Sequence, residues 1–176
     1  MSVLLHQPDR APHRAPRPNH RSRRTCFNPG AFDLTALDVY TDGDDVLFVA
    51  RIAGEVLNPF GGDQISLQRL NVYLGSAPDG TQPALPGTNM NTAEPWQFAV
   101  VGDGRFDQAG LYAPDGTKVA DAELLAVPRT RQFAVAVPRS ALGGLDPATA
   151  RYGTAMLGNA EEGEGIGFVR PVYALD

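Results

Sequence analysis

From Phe27 onward, short apolar runs alternate with clusters of Gly, Pro, Asn and Asp, and nowhere does an apolar pattern last long enough for a helix of ordinary length. The runs at 34 to 40, 45 to 53, 67 to 75, 96 to 102, 109 to 114, 117 to 127 (broken within) and 131 to 138 predict strands. In the second, Val46, Phe48, Ala50 and Ile52 share one face while Leu47 and Val49 share the other, the two-sided pattern of a central strand. Phe133, Val135 and Val137 alternate with Ala, the simplest period of two in the chain. Pro138 to Leu142 predicts one helical turn with Pro at its start. "RYGTAMLGN", 151 to 159, fits either helix or strand, and Gly153 favours the strand. Strands this short, separated by turns such as Pro114-Asp115-Gly116, predict an all-β fold. The expected form is an antiparallel β-sandwich of two sheets, immunoglobulin-like or jelly-roll-like.

The first 26 residues break this pattern. Residues 7 to 25 hold four Pro and six Arg with no aliphatic side chain larger than Ala, too little apolar area to offset the entropy of ordering. The reading is a disordered tail over 1–26 and a single sandwich domain over 27–176. His6, His13 and His20 recur every seven residues, but the intervening prolines prevent one helix from aligning them, so they read as solvated tail residues. The order of charges and apolar residues at the start is not that of a signal peptide, and no apolar run has membrane-spanning length.

Charge sharpens the division. With the six Arg in the tail, the body keeps nine basic against nineteen acidic side chains. An anionic body argues against a nucleic-acid surface, which needs clustered positive charge. Composition removes much catalytic chemistry too: all three His and the single Cys lie within the first 26 residues, so the body has no Ser-His-Asp or Cys-His pair and no His- or Cys-ligated metal. "GEGIG" (163 to 167) resembles a phosphate loop only superficially, because Glu161, Glu162 and Glu164 repel phosphate and no helix pattern follows.

Asp42, Asp44 and Asp45 crowd around Gly43 between two apolar runs. Counted from Asp42, the positions where an EF-hand needs Gly and Glu hold Leu47 and Ala53, which excludes that loop. Asp-Gly between strands signals a hairpin turn. The alternative is a calcium site at Asp42, Asp44 and Asp45 that borrows oxygens from elsewhere in the fold.

Sugar recognition uses aromatic faces together with amides and carboxylates that bond hydroxyls directionally. The stretch 85 to 100 supplies these types in succession: Asn89, Asn91, Glu94, the only Trp, Trp96, and Gln97. Trp96 equally suits a core position at a strand start, and its exposure separates the two roles. Phe60, between Pro59 and two Gly, is either a surface aromatic or a hydrophobic plug, and Tyr73 and Tyr112 carry the same ambiguity.

The run "FNPGAFDLTALDVYTDGDDVLFVARI" resembles the opening of the glucodextranase C-terminal-like domains. In order, "NPFGGDQISLQRLNVYL", "LPGTNMN", "PWQFAVVGDG", "FAVAVPRSALG", "RYGTAMLG" and "GFVRPV" extend the similarity over roughly residues 27 to 173. The resemblance implies a β-sandwich of the DOMON-like and family-nine carbohydrate-binding kind. It also implies a non-catalytic accessory module beside a glycoside hydrolase catalytic domain or at a cell surface, exported, and binding a polysaccharide such as α-glucan or a cell-wall glycan. The departure is at the N-terminus, where "HRAPRPNHRSRRTC" stands in place of the acidic, Gly- and aromatic-rich segment that precedes the Phe-x-Pro-Gly turn in such domains. The expectation is a fragment or a mis-started frame whose first 25 or so residues are foreign to the domain. The alternatives to the carbohydrate reading are a ligand-free surface spacer, a piece of a larger glycoside hydrolase, and a small glycosidase in its own right; a haem-binding role lacks support, since no His lies in the body and only Met90 and Met156 remain as axial ligands.

Overall fold

The computed structural model describes residues 29–61, 63–76, 80–88, 90–106 and 108–158. The tail of 1–26, with its histidines and Cys26, lies outside them, as do Asn89, the "GEGIG" loop and "GFVRPV".

Among the described residues eleven strands form in chain order: β1 (Leu34–Asp42), β2 (Asp45–Ile52), β3 (Gln68–Gly75), β4 (Thr81–Pro83), β5 (Asn91–Trp96), β6 (Phe98–Gly102), β7 (Gly110–Tyr112), β8 (Lys118–Asp121), β9 (Glu123–Ala126), β10 (Gln132–Pro138) and β11 (Arg151–Gly158). One 3-10 turn, Arg139–Leu142, follows β10 where the helical turn is expected. A four-stranded sheet has the order β1-β2-β10-β9, a five-stranded sheet β11-β3-β6-β7-β8, and β4 pairs with β5 separately. Every pairing is antiparallel. The all-β sandwich expected from the pattern is what forms. The predicted break in 117 to 127 is where the chain leaves one sheet for the other, with β8 in the five-stranded sheet and β9 in the four-stranded one.

Alternation fixes how the sheets meet. Val46, Phe48, Ala50 and Ile52 of β2 and Phe133, Val135 and Val137 of β10 face Leu70, Val72 and Leu74 of β3, Val100 of β6 and Leu111 of β7 in one buried core. Because side chains alternate along a strand, the neighbouring residues of β3, Arg69, Asn71 and Tyr73, are placed on the opposite face. That face is buried as well. A second apolar cluster of Tyr73, Ala84, Leu85, Trp96, Ala99 and Val101 covers it, joining β4, β5 and their loop to the outside of the five-stranded sheet as a partial third layer.

The opening pair of strands answers the hairpin question. The ladder between β1 and β2 runs down to Asp42 opposite Asp45, leaving Gly43 and Asp44 as a two-residue loop. Gly43 takes φ +58°, the left-handed region that the first position of such a loop demands.

A different glycine closes the far end. A Cβ on Gly104 would stand 1.8 Å from the carbonyl oxygen of Asp63 and 2.4 Å from that of Ile65. The backbone segments touch there, and Asp63 N–H donates to Gly104 O at 2.8 Å. Gly104→Ala is therefore expected to destabilise the protein by about 1–3 kcal/mol through overpacking. Urea unfolding followed by circular dichroism reads it directly, and an unchanged midpoint would show that the two loops move apart at no cost.

Candidate functional site

The third layer stops short of the sheet's edge and leaves a cleft. Its wall is β5 with Met90, its other side is β11, and its floor includes Tyr73, Trp96 and Gly153. The volume is about 240 Å³.

Each wall follows from local sequence. β5 carries Pro95 and continues through Gln97 into β6, with the Gln97 N–H bonded to Leu74 O at 2.9 Å, so β5 is held over the end of β3. Gly75 permits the approach: a Cβ there would lie 3.0 Å from Pro95 O and from Trp96 Cα. β11 pairs with the free side of β3 in unbroken register, Arg151 opposite Gly75 and Gly153 opposite Tyr73. By alternation Tyr152 and Met156 turn inward, where Tyr152 meets Phe48 edge-on at 6.2 Å. Arg151 and Gly153 turn outward to the cleft.

The rim is polar. Arg151 Nη1 donates to Glu94 Oε2 at 2.8 Å, tying β11 to β5, and both side chains are more than half exposed at 56% and 58%. Asn91 is exposed on the same wall, beside Thr92. Three of the residues singled out in the sequence, Asn91, Glu94 and Trp96, thus line one cleft, while Asn89 lies outside the described residues.

Trp96 is not a surface platform. It is 1% exposed, its indole N–H donates to Pro83 O at 2.9 Å, and its ring meets Tyr73 edge-on at 5.0 Å. Of the two roles the sequence left open, the structure has the core one: the indole reaches the cleft from below and offers no free stacking face. Tyr73 is buried too, its hydroxyl accepting from Asn71 Nδ2 at 3.0 Å. Arg151, Gly153, Met90 and Thr154 join the cleft without having been singled out as sugar contacts. Only the pairing of β11 with β3, which no local pattern announces, brings 151 to 154 beside 91 to 96.

The other candidates lie elsewhere. Asp42, Asp44 and Asp45 are exposed at the tip of the β1–β2 hairpin. Calcium takes six to eight oxygens, and among the described residues no group of three or more His, Cys, Asp or Glu is placed to hold a metal ion. Phe60 is half-buried under the Arg105 guanidinium, which lies 4.5 Å from its ring centre and 4.9 Å from that of Phe106. Met90 packs in the outer cluster and Met156 against the inter-sheet core, on opposite faces of one sheet, so they do not form an axial pair for haem. Tyr112 donates its hydroxyl to Gln108 O at 2.9 Å, and Tyr152 donates to Pro147 O. Burial raises both phenols above 10.0, Asp146 adding to the rise at Tyr152, so neither supplies a phenolate near neutrality. No helix among the described residues is long and apolar enough to cross a membrane.

A two-sheet sandwich carrying an open, polar-rimmed cleft has the architecture of a binding module. Comparison with known families gives it its place: over residues 23–176 the chain matches the C-terminal, SLH-like binding module of glucodextranase, and it belongs to that family. No curated protein matches the chain.

Proposed function

We propose that the protein is a non-catalytic, carbohydrate-binding accessory module, acting outside the cell beside an α-glucan-degrading glycoside hydrolase or at the cell surface. The observation that carries this reading is the Glu94–Arg151 pair over the cleft between β5 and β11. A carboxylate and a guanidinium fixed side by side present acceptors and donors in a planar array, which suits adjacent sugar hydroxyls. Family membership supports a binding role, and the absence of His and Cys beyond residue 26 removes Ser-His-Asp and Cys-His chemistry from the body, leaving a carboxylate pair as the constellation a glycosidase would need. At about 240 Å³ the cleft falls below the roughly 300–1,000 Å³ of drug-sized ligand pockets.

A second reading, a ligand-free surface spacer, draws on the burial of Trp96, since the only Trp supplies no stacking face. Titration calorimetry with maltohexaose separates the two. Saturable binding is expected. Arg151→Ala should weaken it about 10- to 100-fold, the worth of a hydrogen bond to a charged group. An exposed ion pair contributes only about 0–1 kcal/mol to folding, so the variant should melt close to the wild type. A chelator should change nothing. Absence of binding to any glycan by the folded protein would favour the spacer, and hydrolysis of the oligosaccharide would overturn the non-catalytic reading.

A further inference from the structure

Gly153 sits in the middle of β11, opposite Tyr73, and neither its backbone conformation nor the space around its Cα requires a glycine. Its φ is not among the positive values that favour glycine, so the backbone conformation suits any residue. The register between β3 and β11 runs unbroken through it, so it marks no bulge. A Cβ built on it would meet only the Tyr73 Cβ, at 4.0 Å, an ordinary contact, and no backbone lies within that range. Glycine inside a strand weakens the strand, and it commonly marks a bulge, a bend, or a place where another backbone or a ligand approaches closely. The even ladder carries neither a bulge nor a sign of a bend, and no other backbone comes near. A ligand is left.

We infer that Gly153 is the specificity-determining floor of the cleft, a position kept bare so that one uncharged pyranose ring can lie against the β11 backbone. The inference rests on the carbohydrate reading and narrows it. On either side of this floor stand the groups a ring needs: Met90 and Pro95 as apolar surface, and Asn91, Glu94 and Arg151 as hydrogen-bonding rim. The cleft is a single space of about 240 Å³ between β5 and β11. Any side chain at 153 would project into that space.

The charge balance sets the ligand class. Among the described lining residues the charged groups are Glu94 and Arg151, and each neutralises the other at 2.8 Å. A uronate would have to compete with Glu94 for the guanidinium inside a domain whose body is strongly acidic. A neutral sugar needs no such exchange.

The test uses the full chain as wild type, Gly153→Val and Gly153→Ser, titrated with maltohexaose, dextran oligosaccharides and polygalacturonate, with thermal unfolding of each protein. The expected result is binding of a neutral oligosaccharide by the wild type, weakened at least about tenfold in Gly153→Val. Melting should be unchanged or raised, because the strand gains a β-branched residue. Gly153→Ser should fall between, and it decides the matter if the Val variant fails to fold. Wild-type affinity in both variants, with Arg151→Ala still defective, would overturn the role of Gly153 while leaving the cleft as the site. Tighter binding of polygalacturonate than of either neutral ligand would overturn the uncharged class. A folded wild type that binds no glycan at all would overturn the carbohydrate reading itself, and this inference with it.

Discussion

Trp96→Ala should lower the stability of the protein by about 3–5 kcal/mol, the range for removing a large aromatic from a packed site. Three features put Trp96 in that range: it is 1% exposed, it packs edge-on against Tyr73 at 5.0 Å, and its indole N–H occupies the carbonyl of Pro83 at 2.9 Å. The effect goes beyond a cavity. The pair β4 and β5 is short and has no partner sheet, and an isolated two-stranded ribbon is marginally stable at best. Trp96 is the bolt that fastens it, since the ring lies on β3 through Tyr73 while its N–H holds the end of β4. Loss of the ring should free the β5 wall and abolish ligand binding as a consequence of structure, not of a lost contact. With about 2–4 °C per kcal/mol for a domain of this size, the melting point should fall by on the order of 10 °C. Trp96→Phe keeps most of the ring and loses the hydrogen bond, for about 1 kcal/mol and a smaller change in binding. In the wild type, acrylamide should quench the fluorescence of this single Trp weakly. Strong quenching, with an unshifted unfolding curve for Trp96→Ala, would return the residue to the surface and revive its role as a stacking platform.

What the sequence disclosed and what it hid divide along one physical line. Strands β2 and β10 were legible because their alternation meets a single inter-sheet core, so periodicity and burial agree. The hairpin at Gly43 was legible because turn chemistry is local. Strands β4 and β5 were not: Thr81 to Pro83 and Asn91 to Trp96 carry two prolines and mostly polar residues, and they become strands only by lying on the second face of an already formed sheet. The same layer misleads about β3. Arg69, Asn71 and Tyr73 alternate with Leu70, Val72 and Leu74, which reads as a polar outer face, yet all six are buried. The site was half visible for the same reason. Residue types suited to sugars drew attention to Asn91, Glu94 and Trp96, which share the cleft. Arg151 and Gly153 lie some sixty residues further on in an edge strand, and only the tertiary pairing of β11 brings them there.

That buried polar face leads to the second large effect. Arg69 and Asp103 have side chains only 9% and 0% exposed, with Arg69 Nη1 3.6 Å from Asp103 Oδ2. The guanidinium also donates through Nε to Asn71 Oδ1 at 3.2 Å and through Nη1 to Gln108 Oε1 at 3.0 Å, while Asp103 Oδ1 accepts from the Arg105 N–H at 2.9 Å. Removing one partner of such a pair strands the other charge in a dry site, at a cost of about 3–5 kcal/mol. Asp103→Ala is expected to fall in that range, and Arg69→Met alone to be similarly severe. The double variant is the informative one. Removing both charges together is far less costly than stranding one, because the desolvation of the pair is no longer required. Arg69→Met with Asp103→Ala should therefore recover much of the loss, and a double-mutant cycle in urea should give a coupling of about 0.5–3 kcal/mol between two contacting sites. Strictly additive losses would mean that Arg69 is held by Asn71 and Gln108, and that Asp103 serves only the turn into Arg105. A recovered double variant would show that the outer face of β3 needs filling more than it needs charge, the ion pair adding little net stability.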